Sequence, residues 1–72
     1  MSVSMRLTLE VEQKQDGRWI AEVVELAGVQ TYGATPSEAV ARAKALALRV
    51  VADRLEHGEA GSELLSISFA AA

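Results

Sequence analysis

The sequence predicts an α+β domain with the element order β-β-β-α-β, one helix packed on a four-stranded mixed sheet. Three observations carry that reading. Apolar and polar residues alternate strictly from Met5 to Glu12, a full helix-start signal stands at Thr35-Pro36-Ser37-Glu38, and alternation returns at Leu65, Ile67 and Phe69.

In the first segment Met5, Leu7, Leu9 and Val11 face one way and Arg6, Thr8, Glu10 and Glu12 the other. A period of two marks a strand with one buried and one wet face. Asp16-Gly17 supplies a hairpin turn because both residues tolerate positive φ. The return strand, Trp19–Val24, puts Trp19, Ala21 and Val23 on the core face. Glu22 marks the open face, which leaves Ile20 and Val24 there as partly exposed apolar side chains. A short third strand is predicted over Val29–Tyr32.

The helix begins with Thr35 as N-cap, Pro36 in the first helical position and Glu38 closing a capping box. It runs to about His57, where Gly58 stops it. "EAGSE" (59–63) reads as a loop and Ala70–Ala72 as a frayed tail. The helix is long enough to carry the last strand back parallel to the first, which gives the sheet order 3-2-1-4.

Around the helix, Ala39, Ala43, Leu46, Ala47 and Val50 form the sheet-facing stripe, with Val40 and Val51 at its edge. A second stripe, Ala41, Ala45, Leu48, Ala52 and Leu55, follows the four-three spacing of a helix–helix seam. It is a candidate surface for self-association, although alanine is also a strong helix former that needs no partner. The open sheet face and an unpaired sheet edge offer further routes to a homo-oligomer.

Seventy-two residues make one domain, 1–72, near the lower size limit for folding alone. With no cysteine, disulfides and thiolate metal sites are excluded. Arg42, Lys44 and Arg49 interrupt the apolar helix, so no segment of about 20 residues could span a bilayer. No signal peptide precedes the first strand, and the expected location is cytoplasmic. The net charge of −3, with seven scattered Lys and Arg, argues against nucleic acid as the ligand. A mildly acidic surface suits a basic protein partner.

Catalytic chemistry is poorly represented. His57, the only histidine, stands where a helix ends and has no evident orienting partner. Ser37, Ser66 and Ser68 fall in a cap and a strand. Glu10, Glu12 and Glu22 can share the open face, where paired carboxylates could hold Mg²⁺, but alternating glutamates on a wet strand face usually serve solvation. Glu59 and Glu63 are weaker candidates. Gly28 and Gly33 are too far apart for a phosphate loop and no lysine follows them. No catalytic residue, metal ligand or cofactor is assigned.

The run "DGRWIAEVVELAGVQTYGATPSEAVARAKAL" resembles the N-terminal domain of HicB-type antitoxins and their stand-alone HicB-like relatives. Asp16-Gly17, Trp19, Ala21-Glu22-Val23, Glu25-Leu26, Gly28, Gly33, Thr35 and Glu38-Ala39 carry the resemblance, which covers about residues 5 to 58. Ala27 and Val29 stand where the family usually has proline and cysteine. The resemblance implies a partial ribonuclease-H-like fold and a non-enzymatic, protein-binding antitoxin of a toxin–antitoxin system. Such a protein covers HicA, a small basic toxin that cleaves mRNA. The family's separate DNA-binding domain has no counterpart in 72 residues, so direct DNA binding is not expected. On this reading the partner-binding residues are Glu10, Ile20, Glu22, Val24, Glu25 and Tyr32. Alternatives are an orphan homo-oligomeric module that binds a small ligand or serves as an accessory, and a vestigial Mg²⁺-dependent nuclease using the same carboxylates.

Overall fold

A computed structural model describes residues 3–58, 61 and 63–72. The elements are β1 (Val3–Gln13), β2 (Trp19–Val23), β3 (Gln30–Gly33), α1 (Pro36–Glu56) and β4 (Leu64–Ala71). The sheet order is β3-β2-β1-β4, as the sequence predicts. β1 pairs antiparallel with β2, β2 antiparallel with β3, and β4 lies parallel to β1. Residues 59, 60 and 62 of the expected "EAGSE" loop lie outside the described residues.

The core sits between α1 and one face of the sheet. Leu7 and Leu9 of β1, Ala21 and Val23 of β2, and Ala39, Ala43 and Ala47 of α1 are all buried in it. Leu26 and Val29, from the loop after β2, fold back into the same cluster. Trp19, Met5, Ile67, Phe69, Leu46 and Val50 pack around it half-buried. The helix lies chiefly over β2 and β3, so β4 and the first half of β1 are less fully covered.

Both β2–β3 and β1–β2 connections are set by local chemistry. Lys14 and Arg18 close the hairpin, with Lys14 N–H donating to Arg18 O at 2.7 Å and Gly17 N–H to Lys14 O at 3.0 Å. Of the two predicted turn residues only Gly17 takes positive φ (91°), the arrangement of a three-residue loop ending in a left-handed glycine. Gly28 (φ 83°) turns the chain so that Val29 can accept from Val23 N–H at 3.0 Å. Gly33 serves a different need. A Cβ there would meet the backbone N of Ala39 at 2.5 Å, so glycine lets β3 lie directly against the first turn of α1.

Thr35 caps the helix, its Oγ1 accepting from Glu38 N–H at 3.1 Å. The return half of the predicted capping box is replaced. The Glu38 carboxylate turns outward to Arg42 at 2.7 Å, because a guanidinium one turn ahead offers a charged partner. At the other end Gly58 (φ 73°) follows the C-cap His57, whose N–H donates to Asp53 O at 3.0 Å.

Two expectations are corrected. Ala70–Ala72 do not fray: Ala70 pairs with Thr8 and Ala71 with Leu9, and Ala72 N–H donates to Leu9 O at 2.9 Å. β1 continues far enough to offer these residues a ladder, which outweighs their weak strand preference. Ile20, expected to be partly exposed, is 7% exposed. It sits on a central strand between Glu12 on β1 and Tyr32 on β3, and long cross-strand neighbours are within reach to shield it.

Candidate functional site

The face of the sheet opposite α1 is uncovered and carries most of the residues expected to bind a partner. The pairing of the strands places them in rows. Glu10, Glu22 and Gln30 form one row, and Glu12, Ile20 and Tyr32 the next. Glu10 and Glu22 therefore stand directly opposite each other, a like-charge pair that an antiparallel ladder ordinarily disfavours.

Neighbouring groups moderate that charge. Gln30 Nε2 donates to Glu22 Oε2 at 3.3 Å, and Lys14 Nζ pairs with Glu12 at 3.0 Å. The Glu12 carboxylate, through its hydrogen bond and its charge, raises the Lys14 pKa above the usual lysine value. At the hairpin, Arg18 Nε meets Asp16 at 2.7 Å, and its guanidinium lies 4.6 Å from the centre of the Tyr32 ring. The Arg18 backbone N–H, followed by its side chain, lowers the Asp16 pKa.

These rows enclose a shallow depression of about 250 Å³ lined by Glu10, Glu12, Lys14, Ile20, Glu22 and Gln30. A second, of about 200 Å³, lies beside it against the loop after β2 and shares Glu22 and Gln30. Val24, half exposed at 50%, lines the second with Ala27 and Gly28. Tyr32, 42% exposed, stands at the outer end of the second row, beside Ile20. Glu10, Glu22, Val24 and Tyr32 thus form one continuous acidic and apolar surface, with Ile20 as its covered floor.

Glu25 has an internal task that sequence pattern does not reveal. One oxygen accepts from Thr8 N–H and the other from Thr8 Oγ1–H, each at 2.7 Å. Val24 N–H donates to Thr8 O at 3.0 Å, so Glu25 supplies the acceptor where the β2 backbone leaves the ladder. The Thr8 backbone N–H, then its hydroxyl, lowers the Glu25 pKa. Glu25 is exposed and keeps its charge near the acidic surface, while its geometry is fixed by β1.

On the far side of the molecule Ala41, Ala45, Leu48, Ala52 and Leu55 are all exposed along α1, with Leu48 at 46% and Leu55 at 43%. The second helical stripe therefore exists as a solvent-facing surface. His57 Nδ1 lies 2.8 Å from Asp53 O and 3.3 Å from its carboxylate, which is helix-end chemistry. Among the described residues, no three His, Asp or Glu side chains converge as a metal site. No described helix is long and apolar enough to cross a membrane. The chain matches no protein-family model, and neither a curated protein nor a solved structure matches it significantly.

Proposed function

We propose that this chain is a non-enzymatic, HicB-like protein-binding module whose open sheet face covers a basic partner, such as a HicA-type mRNA-cleaving toxin. The observation that supports it is the Glu10–Glu22 rung, two like charges held opposite each other on the one uncovered face of the sheet. Such a pair costs stability in the isolated chain. A Lys or Arg from a partner would turn that cost into attraction, and Tyr32 and Val24 supply apolar contact beside it. Covering the toxin's RNA-binding surface would then inhibit it by occlusion.

The test combines calorimetry with an RNA cleavage assay on a HicA-type toxin. The full chain is expected to bind the toxin and suppress cleavage. The double substitution Glu10→Lys, Glu22→Lys should weaken binding roughly tenfold at low salt and less at high salt. Binding that ignores both charge reversals would remove the assignment of this face. RNA cleavage by the chain alone with Mg²⁺ would overturn the non-enzymatic reading.

A further inference from the structure

The two edges of the sheet are treated differently. The β3 edge is four residues long, α1 packs closely over it, and Arg42 Nη1 donates to Tyr32 O at 2.8 Å. Tyr32 belongs to a row whose backbone groups point away from β2, because Val23 and Val29 form the hydrogen-bonded pair and the pattern alternates from there. That arginine therefore occupies an acceptor that a foreign strand would need.

Among the described residues no side chain caps the β4 backbone in this way, although Lys44 Nζ lies 5.6 Å from the centre of the Phe69 ring. The β4 edge is eight residues long, "LLSISFAA", without a charged residue or proline, the usual means of blunting an edge. Because Ala72 N–H donates to Leu9 O, the alternation along β4 turns the even-numbered residues after the bulge toward β1. Ile67, Phe69 and Ala71 then turn their N–H and C=O groups outward. Beside this edge Met5, Ile67 and Phe69, with Leu46 and Val50 of α1, are only half-buried.

We propose that a second copy of this chain pairs antiparallel along β4, about a two-fold axis at Ser68, doubling the four-stranded sheet. Three observations select a second copy as the occupant. An uncharged strand meets itself without repulsion, whereas the net charge of −3 disfavours most other self-contacts. The two-fold sets Ile67 against Phe69 of the second copy, so each outward-facing backbone pair finds a complement in the same segment. The chain is also incomplete as a globule: its radius of gyration is 13.3 Å, against about 11 Å for a compact domain of this length. Pairing at β4 covers the half-buried shelf and adds core where a small domain lacks it. This interface uses none of the residues assigned to partner binding, so each proposal can fail without the other.

Sedimentation equilibrium at high micromolar concentration tests it, with twice the 7.7 kDa chain mass expected. Ser68 is exposed and lies opposite Arg6 on β1. Ser68→Lys would therefore place four positive charges in one row across the axis, and should weaken the dimer roughly a hundredfold with an unchanged far-UV circular dichroism spectrum. Because the chain has no cysteine, Ser68→Cys gives a second readout that adds no bulk. Diamide, taking up two hydrogens as one S–S bond forms, should cross-link Ser68→Cys several-fold faster than Ser66→Cys. A single-chain mass for the unmodified protein would overturn the proposal, as would faster cross-linking at Ser66→Cys. A dimer that survives Ser68→Lys but dissociates on Leu48→Lys would move the seam to the helix and overturn it too.

Discussion

Where β2 ends at Val23, Thr8 would face solvent with its N–H unpaired if the chain simply turned away. Glu25 meets that N–H and the adjacent hydroxyl with its two oxygens, so a side chain finishes a ladder that the backbone leaves. Its folded pKa is lowered by this contact, which fixes the sign of the pH dependence. The stabilisation is fully present above the ordinary glutamate value of 4.5 and is lost as pH falls through the depressed folded value. Glu25→Ala is therefore expected to lower the thermal midpoint at neutral pH, and the gap to the parent should close in acid below the usual glutamate range. Melting curves across pH check this, and a gap that stays constant would show that the carboxylate's charge is irrelevant.

At the scale of elements, the start of α1 is the most sharply specified point. The Thr35 hydroxyl holds one helix N–H, and Thr35→Ala is expected to cost about 1 kcal/mol, measurable by urea unfolding with an unchanged slope. This element was legible because Thr-Pro-Ser-Glu acts within one turn of its own sequence. The alternation of β1 and β2 was legible for the same reason, and with them the order of the sheet. Contacts between segments were not. The Glu25–Thr8 bridge spans 17 residues, and no local pattern announces it. Alternation places Ile20 on the open face, but its burial depends on which residues stand beside it, Glu12 and Tyr32, and that needs the strand register. Ala70 and Ala71 looked like a tail because alanine favours strands weakly; they pair because β1 is long enough to receive them. The acidic rows of the candidate face were visible as residue types, while the rung that sets Glu10 opposite Glu22 needed the strand register.

The whole molecule measures 45 × 21 × 16 Å, and among the described residues the largest fully buried side chains are Leu7, Val23 and Val51. A core this thin leaves little margin of stability. Pairing at β4 would tie folding to association, so the thermal midpoint should rise with chain concentration. Scanning calorimetry over a wide concentration range reads this directly, and a constant midpoint would count against the dimer. At the same scale the two proposals are compatible: a partner would use the open face of β1–β3, and a second copy the far edge.

Ala39, Ala43 and Ala47 each have no accessible surface, and Val51 continues their line at 1%. In most cores the vulnerable change is the loss of a large side chain. Along this line the vulnerable change is gain, because added methylenes force displacement where there is no void to fill. Three alanines in succession set how near the helix axis comes to the sheet, and a larger residue at any of them would pry the whole helix away as a lever. Natural variation in this chain should therefore be asymmetric, free on the outer stripe of α1 and confined to the smallest side chains on the inner one.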